Sequence, residues 1–364
     1  MKIIAFHLPQ YHEVPENNEW WGPGFTEWTN TKKAKPLFCD HYQPREPYGE
    51  RYYNLLDPST RQWQADIAQK YGIYGFCYYH YWFCGKKLLE KPLEALLESP
   101  YPQIPFCLSW ANHSWTKAWD GNNRQILIEQ RYGDEVQWQE HFNYLFNFFS
   151  DKRYIQINNK PLFIIFNPAN IEKCDEMLSL WNRMAIDKGL SGIHFVEMLT
   201  TYCNIHNSTM FQGQIEFEPM YTIKYGIPFL KVLQRPLNRM IQDIISPLFP
   251  GYKEKFFNVM DYDYVWQKII TRKPQNSKRY LGAFVDWDNT ARRGSKAFII
   301  NGATPEKFKK YLSTQLIRSK EILNQDMMFI NAWNEWAEGC YLEPDKKYGF
   351  KYLEAIKAAL ESVR

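Results

Sequence analysis

Residues 326–343 read DMMFINAWNEWAEGCYLE. The first part, Met327, Met328, Phe329 and Ile330, is an unbroken apolar run. Such a run suits a strand buried on both faces, as in a parallel sheet. The composition then turns over to Asn331, Trp333, Asn334, Glu335, Trp336, Glu338 and Gly339. Two carboxylates so close together, among indoles and carboxamides, are poor core material, because an unpaired buried charge is costly. At the mouth of a barrel they make sense: carboxylates can move protons there, and indole faces can stack on sugar rings.

The same switch from apolar run to polar, aromatic end recurs upstream. Expected strands are residues 2–9, 73–83, 105–110, 161–166, 193–196, 214–217 and 281–285, with the 326–343 stretch as strand eight. Helices are expected at 59–71, 86–98, 134–149, 171–188, 304–323 and 348–363. Asp57-Pro58 and Thr304-Pro305 are start signals, and Gly189 is a stop. Two long segments, 10–53 and 221–280, read as loop elaborations; the first is too aromatic for disorder and is expected to fold over a site. No internal repeat or low-complexity linker interrupts the alternation. It predicts one domain over 1–364, an α/β (β/α)8 TIM barrel with long βα loops. A doubly wound sheet would want a glycine-rich phosphate turn after strand one; here that turn is His7-Leu8-Pro9-Gln10.

Composition narrows the function. The chain of 364 residues is 45% hydrophobic, enough for a large core. A formal charge of +4 argues for neither nucleic acid nor a membrane surface as partner. Aromatic residues reach 17%, and many sit beside polar ones, which points to a carbohydrate-type surface. Seven cysteines, an odd number with no CxxC pair, exclude a fully paired disulfide framework and the usual zinc-ribbon spacing. Cys77, Cys84 and Cys107 fall in apolar runs as buried thiols. Residues 1–12 read as a strand rather than a signal peptide, and no apolar run approaches the ~18 residues of a membrane span. A cytoplasmic setting is the expectation.

Cleaving a glycosidic bond needs one group to protonate the leaving oxygen and another to support the anomeric centre. Glu335 and Glu338 supply both, since three residues of extended chain span at most about 10 Å. Around them, Trp333, Asn334 and Trp336 are candidates for substrate contact. At the other strand ends the candidates are His7 and Tyr11; His80 and Trp82; Trp110, Asn112, Trp115 and Trp119; Asn167; Glu197; Glu216; and Asp286. Glu27 and Trp28, in the first loop, could line the same site. The bland readings are that a lone histidine is structural, an indole is core, and one strand-end carboxylate is a salt-bridge partner. DWD at 286–288 and DYD at 261–263 match the short DxD metal motif of sugar-nucleotide transferases, a pattern common by chance. No other cluster has metal spacing, so no metal or cofactor is expected.

Asn334-Glu335-Trp336-Ala337-Glu338-Gly339, with Glu343 downstream, resembles the NEWxEGxxxE signature of glycoside hydrolase family 99. That family comprises endo-α-mannosidases and α-mannanases on a (β/α)8 barrel. The blocks at 8–12, 17–30, 79–93, 106–121, 126–132 and 331–339 more closely resemble the WbsX-like, family-99-like group, which is linked to lipopolysaccharide and O-antigen biosynthesis. The resemblance implies that Glu335 removes the proton of a sugar 2-hydroxyl to give a 1,2-anhydro intermediate. Glu338 would protonate the leaving group and then activate water, with net retention. Ala337 stands where family 99 usually has histidine. The expected function is a retaining, endo-acting hydrolase of an α-mannose-type oligosaccharide or polysaccharide. The alternatives are a glycosyltransferase or transglycosylase of polysaccharide assembly and a non-catalytic carbohydrate-binding protein. Intact Glu335 and Glu338 argue against the last.

Overall fold

The structure, a computed structural model, describes residues 1–117, 125–206, 208–228, 258–275 and 278–363. Strands one to six are Lys2–His7, Ile73–Phe83, Phe106–Trp110, Lys160–Ile165, His194–Leu199 and Gly213–Glu216. Strand seven is two short segments, Arg279–Tyr280 and Gly282–Phe284, and strand eight is Met327–Asn331. All pair in parallel, and spatial order follows chain order from one to six, with strand eight beside strand one. Strand seven joins the two ends. Its first segment pairs with strand six, Arg279 opposite Gln214, and its second with strand eight, Gly282 opposite Phe329. These nine segments form a nearly closed (β/α)8 barrel. Strand residues such as Ile3, Ile4, Ile164 and Ile330 are fully buried, as apolar runs covered on both faces should be.

Three of the long helices start where the chain supplies caps. Asp57 accepts from Ser59 N at the head of Pro58–Lys70, and Asp134 forms a capping box with Gln137 at the head of Glu135–Phe149. Thr304 caps Pro305–Glu321. Cys174–Asp187 and Lys351–Glu361 complete the long helices.

Some elements differ from expectation. The helix expected from residue 86 is Lys91–Leu97, because Lys86–Leu88 first folds back as a strand on the end of strand two. Strands five and six are joined with no helix among the described residues. The first loop carries two short helices, Pro15–Trp21 and Glu27–Lys33. After strand seven, Trp287–Asp288 and Phe298–Asn301 join Asn258–Asp261 in a small side sheet, with the short helix Thr290–Arg293 between them. Of the 221–280 elaboration, residues 229–257 lie outside the described part. Cys77 and Cys107 are buried, whereas Cys84 is half-exposed; none of the seven cysteines is in a disulfide. Among the described residues no helix is long and apolar enough to cross a membrane.

Candidate active site

Strand eight ends at Asn331, and the chain then makes a hairpin. Asn334–Glu335 pairs antiparallel with Cys340–Tyr341, and the turn between them is the single 3-10 turn Trp336–Glu338. Gly339 closes it at φ 63°, in the left-handed region that glycine tolerates. The hairpin is tied down from behind. Asn334 brackets Leu8: its Oδ1 accepts from Leu8 N at 2.7 Å and its Nδ2 donates to Leu8 O at 3.0 Å. The Tyr11 hydroxyl donates to the Asn334 carbonyl. The Trp333 and Trp336 indoles donate to buried Glu343 at 3.1 and 2.7 Å. Gln64 Nε2 and the Tyr53 hydroxyl donate to the same carboxylate at 2.7 and 2.8 Å. Burial outweighs these four donors and raises the Glu343 carboxyl to about 7.

Glu335 and Glu338 face the other way, into a cavity of about 500 Å³ at the barrel mouth. Tyr79, Tyr81, Trp115, Asn167, Trp287 and Arg292 share its walls. Arg292, from the short helix after strand seven, lies between the carboxylates. Its Nη2 donates to Glu335 at 3.1 Å, its Nη1 pairs tightly with Glu338, and its Nε donates to fully buried Glu27 at 2.8 Å. One guanidinium therefore serves three carboxylates. Burial, then the neighbouring charge of Glu338, lifts Glu335 to about 8 against the pull of Arg292. Burial also raises Glu338, with Arg292 opposing. Carboxylates this strongly linked titrate as a pair. Near neutral pH the pair retains a proton, and the more buried member, Glu335, is favoured to hold it. The Glu335 side chain is 8% exposed against 22% for Glu338.

Of the residues singled out from sequence, Glu335, Glu338, Trp115 and Asn167 line this cavity. Asn167 Oδ1 is buried with no hydrogen-bond partner among the described residues. The other described candidates lie elsewhere, each with a protein partner. Asn112 clasps Asn167, its Oδ1 accepting from Asn167 N at 2.7 Å and its Nδ2 donating to Asn167 O at 2.8 Å. His7 pairs with Gln64 at 3.2 Å, and burial lowers it to about 3. His80 meets His141 at 2.8 Å, with Trp82 stacked on His141 and the Trp110 indole donating to Trp82 O. Trp28 donates to Tyr53 O and packs on Tyr11 and Trp336. Glu197 accepts from His206 N and Gln214 Nε2; Glu216 pairs with Arg272. Trp119 lies outside the described residues.

The DxD carboxylates are likewise engaged. Asp286 and Asp288 pair with Arg45, and Asp288 also with His41 and Gln43. Asp261 caps a helix through Tyr264 N, and Asp263 holds Lys307 and Tyr311.

Sequence reasoning passed over Tyr79, Tyr81 and Arg292. The tyrosines alternate with His80 and Trp82 along strand two, so the period of two was the available signal, and only the parity was open. Arg292 carried no signal: it sits in TARRGSK, which has no periodicity.

Fold and site together are a parallel barrel whose last strand delivers two carboxylates to an aromatic cavity. The chain belongs to the family described as Glycosyltransferase WbsX, whose profile matches residues 3–356. It is 32% identical over 364 residues to "Uncharacterized protein WxcX" of Xanthomonas campestris pv. campestris, in two strains. That alignment covers 98% of this chain and 49% of WxcX, so the chain spans about half the length of the curated relatives it matches. Among solved structures, a "Glycoside hydrolase-like protein" superposes with a TM-score of 0.59 at 10% identity, covering 98% of this chain and 93% of the other. The GH99 endo-alpha-mannosidase of Bacteroides thetaiotaomicron superposes with a TM-score of 0.56 at 10% identity, covering 99% and 97%. At such identities the likeness concerns the fold alone.

Proposed function

We propose that this chain is a retaining, endo-acting glycan-processing enzyme working on α-linked, mannose-type chains through Glu335 and Glu338. The observation that carries the reading is the carboxylate pair in one cavity, bridged by Arg292 and retaining a proton through burial. Ionised Glu335 takes the proton of the sugar 2-hydroxyl, and O2 closes on C1 as the glycosidic bond breaks. Glu338 gives its proton to the leaving oxygen. In the second half Glu338 takes a proton from water, the hydroxide opens the anhydro ring at C1, and Glu335 returns its proton to O2. Both residues end as they began. Burial favours the opposite placement of the proton in the empty cavity, on Glu335. Arg292 contacts both groups and so lowers the cost of moving it.

Kinetics of two variants test the roles. Glu335→Gln is expected to lose activity with any leaving group, because the 2-hydroxyl must still be deprotonated. Glu338→Gln is expected to recover with an activated leaving group that needs no proton. Losses on the natural bond should be about 10²–10⁴-fold. Rescue of Glu335→Gln instead would reverse the roles, and near-wild-type rates for either variant would remove that residue from the chemistry.

The description of the matched family favours a second reading, transfer rather than hydrolysis, in lipopolysaccharide or O-antigen assembly. The same carboxylates would then activate an acceptor hydroxyl in place of water. Product analysis with defined acceptor oligosaccharides separates the two.

A further inference from the structure

A second cavity, of about 460 Å³, adjoins the first. Its walls come from the C-terminal end of the helix Glu27–Lys33 and from residues 290–296. Lys33, Lys35, Arg293 and Lys296 line it, and no carboxylate does among the described residues. All four cations are exposed, and none is in an ion pair with a described carboxylate. Like charges gathered in this way repel one another and cost stability, and a surface serving solubility alone disperses them.

Three contacts tie this basic cavity to the carboxylate site. Arg292 belongs to the walls of both. Ala34 and Ala291 line the basic cavity and pack against Ala337, one of the two residues between Glu335 and Glu338. The charge of Arg293 reaches Glu338 and opposes the rise of its pKa. An anion held here would therefore lie one side chain away from the reacting carboxylates.

Charge decides the class of anion. A single carboxylate would leave most of the positive charge unanswered. A diphosphate presents charge on both phosphoryl groups and oxygens on every side, and lysine and arginine are its usual protein partners. We infer that the cavity lined by Lys33, Lys35, Arg293 and Lys296 holds the diphosphate of a diphosphate-linked glycan whose sugars enter the Glu335–Glu338 cavity. The diphosphate could be carried by a nucleoside or by a polyprenyl chain; the shared chemistry is the diphosphate itself.

Binding can be read directly, apart from any activity, so its failure would leave the carboxylate chemistry standing. Inorganic pyrophosphate, GDP and geranyl diphosphate are titrated calorimetrically into the full chain, with sulfate as the reference anion. Saturable binding of pyrophosphate is expected, weakening as salt is raised. The triple variant Lys33→Ala, Lys35→Ala, Lys296→Ala should weaken it by about tenfold or more. Arg293→Gln, a single exposed change, gives an independent reading if the triple variant folds poorly, and should also weaken binding. Lys152→Ala with Lys309→Ala and Lys357→Ala, three exposed lysines outside the cavity lining, is the control for lost net charge. Equal affinity for the three probes means that the diphosphate alone is held. Tighter GDP points to a nucleoside carrier and tighter geranyl diphosphate to a polyprenyl one. The inference falls if pyrophosphate binds no better than sulfate, if it does not saturate at millimolar concentration, or if the control loses as much as the triple variant.

Discussion

Arg292 and Glu343 hold the two sides of the same hairpin by opposite chemistry. Arg292 reaches Glu27, Glu335 and Glu338 from one planar fork, a geometry that the point charge of lysine cannot copy. Arg292→Lys should lower kcat/KM by about 10²-fold. It should also move the pH profile. The pair must keep one proton for Glu338 to deliver to the leaving oxygen, and the Glu335 carboxyl is raised to about 8, so activity should fall as pH rises through about 8. Weakening the contact to the one cation that holds it down shifts that limb further upward. A wild-type profile flat between about pH 6 and 10 would contradict a proton shared by the pair. Glu343 instead collects four donors and no ion pair. Glu343→Gln puts an NH₂ against two of them and should cost about 1–3 kcal/mol in urea unfolding at pH 5. The linkage sign follows from its raised pKa. The native state binds the Glu343 proton more tightly than the unfolded chain does. That contribution is complete below the ordinary value of 4.5 and is lost as pH rises through about 7. The deficit of the glutamine variant should therefore shrink between pH 5 and 8.

At the level of elements, what could be read in advance was what local pattern controls. Apolar runs such as Met327–Ile330 announced the strands, and Asp57 and Thr304 announced helix starts. The site was legible where it sits on one short stretch: Glu335 and Glu338 are neighbours in sequence and share one cavity. It was not legible where it depends on long-range assembly. Arg292 meets a carboxylate 265 positions away, and no periodicity reports such a contact. Strand two shows the intermediate case, in which alternation was visible but its parity depended on the barrel closing. Ala337 carries a prediction at this scale. It is fully buried against Ala34 from the first-loop helix and Ala291 from the Arg292 helix, so both helices approach the hairpin through small side chains. Ala337→His, the residue usual in family 99, would push them apart. A loss of about 1–3 kcal/mol is expected, together with weakened Arg292 contacts and a larger fall in kcat than in thermal stability would explain. A fully active, equally stable variant would mean that this junction is looser than its packing implies.

For the whole molecule, the decisive point is how the ring closes. Strand seven is broken at Leu281, and its two segments face different neighbours, strand six on one side and strand eight on the other. The strand-six end comes so near that a Cβ on Gly282 would lie 1.9 Å from the Glu216 carbonyl oxygen. That contact is with backbone, so no rotamer change relieves it, and closure depends on a missing side chain rather than on a special dihedral. Gly189 offers the contrast. Its φ is +88°, yet a Cβ there would meet nothing within 4 Å. Gly189→Ala should cost only the left-handed strain, about 1–2 kcal/mol. Gly282→Ala must part strands six and seven and should cost about 3 kcal/mol or more. Asn331 donates to Glu218 O across the same seam at 3.1 Å, next to the hairpin that carries Glu335. Opening the seam should therefore lower activity as well as the unfolding midpoint, whereas Gly189→Ala should touch stability alone. Parallel thermal unfolding and kinetics of the two variants check this. Equal losses of stability would show that the barrel tolerates an open seam, and that the site does not depend on a closed ring.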